Sequence, residues 1–87
     1  MKKLAFDNCK NIISQQVKHY RKQSDLTQAQ LAARLQTIGL NIDQQMVSKI
    51  EHNTRIVTDY ELACIATVLK VSPLDLLQPF YSKYELE

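Results

Sequence analysis

The chain has 87 residues, enough for one small domain whose single core leaves only modest stability. With one Gly, two Pro and 45% hydrophobic residues, and without sustained β-branched alternation, it reads as all-helical, and a lone Gly rules out a glycine-rich phosphate loop. The net charge is +2, but residues 1–55 hold nine Lys/Arg against four Asp/Glu while residues 56–87 hold two against five, so the first part is basic and the second acidic.

Cys9, Cys64, His19 and His52 lack metal-ligand or redox spacing. Neither a signal-peptide pattern nor a membrane-length apolar run occurs. No nucleophile-plus-base motif stands out either. The expectation is a cytoplasmic protein that is not an enzyme and needs no metal, cofactor or membrane.

Residues 1–11 read as an N-terminal arm, in which Lys2 and Lys3 could lie along a groove or phosphate row or simply fray. A first helix is predicted over 13–23, with Ile13, Val17 and Tyr20 inward and Lys18, Arg21 and Lys22 near its end. Asn11 and Ser14 are both candidate caps. Ser24-Asp25 make a turn.

Thr27-Gln28-Ala29-Gln30 is a capping box, with Leu26 and Leu31 placed as a hydrophobic staple. Leu31, Ala32, Leu35 and Ile38 then recur at helical spacing and predict one buried stripe. Gly39 suits the left-handed residue that closes a helix. A third start follows at Asp43, with Ile42 and Val47 as the staple.

On a wheel of about 100° per residue, Met46, Val47 and Ile50 of this third helix share one arc, while Gln44, Gln45, Ser48, Lys49 and His52 share the opposite one. A glutamine amide donates and accepts together, which matches the N6/N7 edge of adenine in a major groove. An adjacent pair at a helix start reaches successive base pairs. Taken alone, such an arc is also what a solvated surface looks like.

His52-Asn53-Thr54-Arg55 form a polar loop, with Asn53 suited to a helix exit. Val57-Thr58-Asp59-Tyr60-Glu61-Leu62 repeats cap plus staple, and its helix is expected to bury Leu62, Ile65, Ala66 and Leu69. Tyr60, Cys64 and Val68 form a second line that meets the last helix, a partner or water. Ser72-Pro73 opens the fifth helix, where a proline at the first position loses no hydrogen bond. Residues 12–77 thus make one domain, and 78–87 a tail holding Phe80, Tyr81 and Tyr84, which is a dimer seam, a disordered segment or a segment folded back on the domain.

Arg21, Thr27-Gln28, Leu31-Ala32 and Val47-Ser48-Lys49-Ile50-Glu51, in that order, resemble the lambda-repressor-like helix-turn-helix family of Cro and the phage repressors, over roughly residues 13–77. The resemblance implies a compact all-α, five-helix DNA-binding domain. It implies base contacts from Gln44, Gln45, Ser48 and Lys49, and phosphate contacts from Thr27, Gln28, Asn53, Thr54 and Arg55. It also implies an Arg21–Glu51 ion pair that ties the first helix to the third. The chain departs from the family in one respect: the turn between helices 2 and 3 is extended, because Gln36-Thr37-Ile38 prolongs helix 2 by roughly one turn and residues 39–42 lengthen the connection.

The function expected from this reading is sequence-specific recognition of double-stranded DNA by a small transcriptional regulator, with residues 43–52 in the major groove. Members of the family commonly bind as homodimers, and one module this small buries little DNA surface. The alternative is a protein-interaction module of the same fold, such as an antitoxin or adaptor that binds a partner protein.

Overall fold

The computed structural model describes residues 9–83, so the expectations for Lys2, Lys3 and Tyr84 lie outside the described residues. Five helices account for most of them: α1 Ser14–Gln23, α2 Gln28–Thr37, α3 Gln44–Glu51, α4 Asp59–Leu69 and α5 Pro73–Lys83. No strand occurs among the described residues.

Each start satisfies its orphan backbone donors locally. The Thr27 hydroxyl accepts the Gln30 N–H at 3.1 Å, and the Gln30 amide oxygen accepts the Thr27 N–H at 2.8 Å. Thr58 and Glu61 repeat this box at 3.3 and 3.0 Å. Asp43 Oδ1 accepts the Met46 N–H at 2.8 Å. At α5, Ser72 Oγ accepts the Leu74 N–H at 3.0 Å while Asp75 Oδ2 accepts the Ser72 N–H at 2.9 Å. α1 is the exception: Ile13 is its N-cap and makes no side-chain cap, and Asn11 Oδ1 accepts the Ile13 N–H at 3.0 Å just upstream.

Four helices close with the same left-handed turn. Asp25, Gly39, Asn53 and Lys70 carry positive φ, from 57° to 96°. The following N–H groups of Leu26, Leu40, Thr54 and Val71 reach back to the carbonyls of Arg21, Leu35, Lys49 and Ala66 at 2.9–3.1 Å. Gly39 has the largest φ, +96°, where a side chain is strained whatever the space around it.

The staples and stripes meet in one core of Ile13, Val17, Leu26, Leu31, Ala32, Leu35, Leu40, Ile42, Val47, Ile50, Ile65, Ala66, Leu69 and Leu76. Tyr20, Leu62 and Leu77 pack against it only partly buried. Ile38, expected in the stripe, is 48% exposed. α2 ends at Thr37, so Ile38 becomes its cap, and the left-handed turn at Gly39 brings Leu40 back over Leu35 instead. Leu40 and Ile42 fill the core from within the extended turn. The Gln36 amide holds that turn by donating to the Ile42 carbonyl at 2.8 Å.

The expected tail does not begin at residue 78, because α5 continues through Pro79 to Lys83. A proline there has no N–H for the Asp75 carbonyl one turn earlier. Gln16 of α1 supplies the missing donor, its Nε2 lying 3.2 Å from the Asp75 oxygen. That bond also fastens α5 to α1.

Candidate nucleic-acid interface

α3 is held from behind. Val47 and Ile50 are almost wholly buried, and the helix packs against both α1 and α2. Glu51, at its last turn, is 8% exposed and accepts two bonds from the Arg21 guanidinium, 2.6 Å from Nε to Oε2 and 3.0 Å from Nη2 to Oε1. The bonds to Glu51 raise the Arg21 pKa above its ordinary value despite desolvation. A third Arg21 bond, from Nη1 to the Leu26 carbonyl at 2.7 Å, ties the start of α2 to the same ion pair. Gln28 completes it, its Nε2 donating to Glu51 Oε1 at 3.1 Å. The ends of α1, α2 and α3 are therefore fixed to one another through a single buried carboxylate.

With the inner face committed, the outer face is set by helical geometry. Gln44, Gln45 and Lys49 are exposed, and none of the three side chains has an intramolecular partner among the described residues. Ser48 is half-buried between them. His52 folds back onto Ser48: its Nδ1–H donates to the Ser48 carbonyl at 2.7 Å and lies 3.3 Å from the Ser48 hydroxyl. The structure thus brings the four residues expected at base edges onto one exposed side of α3, with the two amides at the end nearest the Asp43 cap. Amides in this position can donate and accept at once, which is the pattern that major-groove base edges present.

The residues expected at phosphates are placed differently: each also serves the fold. Thr27 is the α2 cap, and Gln28 braces Glu51. The Thr54 hydroxyl donates to the Lys49 carbonyl at 3.1 Å. Asn53, at φ 59°, accepts the N–H groups of Lys10 and Asn11 on its Oδ1 at 2.8 and 3.0 Å. Arg55 forks onto Glu61, with Nη1 to Oε1 at 2.9 Å and Nη2 to Oε2 at 3.0 Å, and Nη1 also donates to the Ile56 carbonyl at 3.1 Å. Three of its five N–H bonds are occupied. The Arg55 bonds pull the Glu61 carboxyl below its usual pKa against the opposing effect of burial, and the same bonds raise Arg55.

Sequence reading missed two of these partnerships. Glu61 carries the capping-box signal and gives no hint that it also pairs with Arg55. Asn11 is the second: beyond the Ile13 N–H it donates from Nδ2 to the carbonyls of Ile50 at 3.1 Å and Arg55 at 3.0 Å. One amide thus joins the entry to α1, the end of α3 and the loop after it. Its partners lie some 40 residues away, and nothing in the local sequence marks them.

No helix among the described residues is long and apolar enough to cross a membrane. Nor does any group of His, Cys, Asp or Glu among them form a metal cluster. No curated protein matches the chain. A family comparison does match, under the description Helix-turn-helix, over residues 17–76, which covers most of α1, all of α2, α3 and α4 and the start of α5. The chain accordingly belongs to the lambda-repressor-like helix-turn-helix family, a family of DNA-binding regulators.

Proposed function

We propose that the chain is a sequence-specific transcriptional regulator that lays α3 in the major groove of double-stranded DNA. The observation that supports this most is the exposed edge of Gln44, Gln45 and Lys49, without a partner among the described residues, on a helix whose other side is locked into the core. Gln44, Gln45, Ser48 and Lys49 reach base edges, and Thr27, Gln28, Asn53, Thr54 and Arg55 border the phosphates. The Thr27 hydroxyl accepts from Gln30 and keeps its own hydrogen to donate to the anion, while Gln28, its side chain engaged with Glu51, offers its backbone N–H at the start of α2. Arg55 reaches outward with the N–H bonds that Glu61 and Ile56 leave open.

The protein binds as a homodimer in this reading, since one module of this size covers few base pairs. Exposed Tyr60, Leu74 and Tyr81 on α4 and α5 are the apolar groups available for such a contact. Its place is the cytoplasm, where its two cysteines stay as free thiols. The same exposed side chains would serve a partner protein under the alternative reading of an antitoxin or adaptor. Selection from a random duplex library at two salt concentrations separates the two. Enrichment of a defined site supports the regulator, and binding no better than non-specific at both salts rejects it.

A further inference from the structure

We infer that Lys10 is a phosphate-contacting residue, delivered to the DNA by a clasp of two asparagines; this rests on the DNA-binding reading above. The backbone N–H groups of Lys10 and Asn11 both converge on Asn53 Oδ1, at 2.8 and 3.0 Å. Asn53 is the left-handed residue that ends α3. From the other direction the Asn11 amide donates to the carbonyls of Ile50 and Arg55 on either side of Asn53. Six backbone and side-chain groups from five residues are thus knotted at the point where the recognition helix becomes the following loop, and the Lys10 backbone is part of the knot.

The loop needs a cation from elsewhere. Residues 52–58 contain one Lys or Arg, and that residue, Arg55, spends its fork on Glu61. The other side chains bordering the phosphates are neutral and internally bonded. Lys10 is exposed, and its ammonium has no partner among the described residues. A lysine acts on phosphate as a compact point charge on a long stem, so fixing the backbone beside the loop is enough to keep that charge near the strand. The contact is blind to sequence and adds affinity by counterion release.

The test measures binding of the full chain to a mixed-sequence DNA duplex over a salt series, for the wild type, Lys10→Gln, Lys10→Arg and Asn53→Gly. Glycine suits the positive φ at residue 53 and removes the Oδ1 that accepts the Lys10 and Asn11 N–H groups, so the turn is kept while the clasp is lost, and this variant is expected to fold. Lys10→Gln is expected to lower the slope of log affinity against log salt by about 0.9, the share of one phosphate, while Lys10→Arg keeps it. In the Asn53→Gly background the same Lys10→Gln change has a smaller effect. An unchanged slope in Lys10→Gln overturns the contact, and an effect of equal size in both backgrounds overturns the clasp. Wild-type protein with no salt-dependent affinity for the duplex overturns the DNA-binding reading itself.

Discussion

Glu51 illustrates how one side chain can carry an architecture. It lies inside the protein with three hydrogen bonds from two residues, so the carboxylate is balanced only while Arg21 stays in place. Removing one member of a buried pair strands the other charge, at a typical cost of about 3–5 kcal/mol, whereas replacing both by apolar residues is often nearly neutral. Glu51→Ala is therefore expected to lower unfolding stability by about that amount, and an Arg21→Met/Glu51→Met double variant to lose distinctly less. Chemical denaturation of the three proteins checks this; equal losses in single and double variants would contradict it.

At the same scale, Glu61 makes the second ion pair pH-sensitive. Its pKa is lower in the folded protein than in the unfolded chain, so the pairing contributes stability above the ordinary glutamate range and loses it as pH falls through the depressed folded value. Wild type should exceed Glu61→Gln in thermal stability near neutral pH, and the gap should close on acidification below about pH 4. A gap that is constant with pH would mean that the Arg55 bonds do not depend on the charge of Glu61.

Among the elements, α3 is the one whose placement depends most on its connection. The extended turn from α2 is set by Gly39 at φ +96°, by Leu40 folding back on Leu35, and by Gln36 bonding the Ile42 carbonyl. Gly39→Ala has open space around the new methyl, so its cost is backbone strain alone, about 1–2 kcal/mol. A thermal melt that is unchanged would show that the turn relaxes without loss. The helices themselves were legible from residue chemistry, because caps such as Thr27–Gln30 and staples such as Ile42/Val47 lie within a few residues of one another. Ile38 was misplaced because periodicity carries no information on where a helix stops within its last turn. The run of α5 past residue 77 was not legible locally, since a proline such as Pro79 is kept inside a helix only where a distant donor, here Gln16, serves the carbonyl it leaves bare. The exposed arc of α3 was readable from the wheel, whereas the internal duties of Gln28, Asn53 and Arg55 arise from contacts that only the fold creates.

For the molecule as a whole, three features are the ones the proposed reading rests on: a basic first part, a third helix anchored on its inner side, and exposed apolar residues on α4 and α5. The homodimer reading predicts a solution mass of two chains, free or on DNA. Light scattering that returns one chain in both states would remove it. Central to the account is that the α3 glutamines read bases, and the most direct measurement is the binding-site preference of wild type, Gln44→Ala and Gln45→Ala from one random duplex library. Each substitution is expected to relax preference at its own base position, at about 1–3 kcal/mol, with the rest of the site kept. An identical preferred site in all three proteins would contradict the assignment.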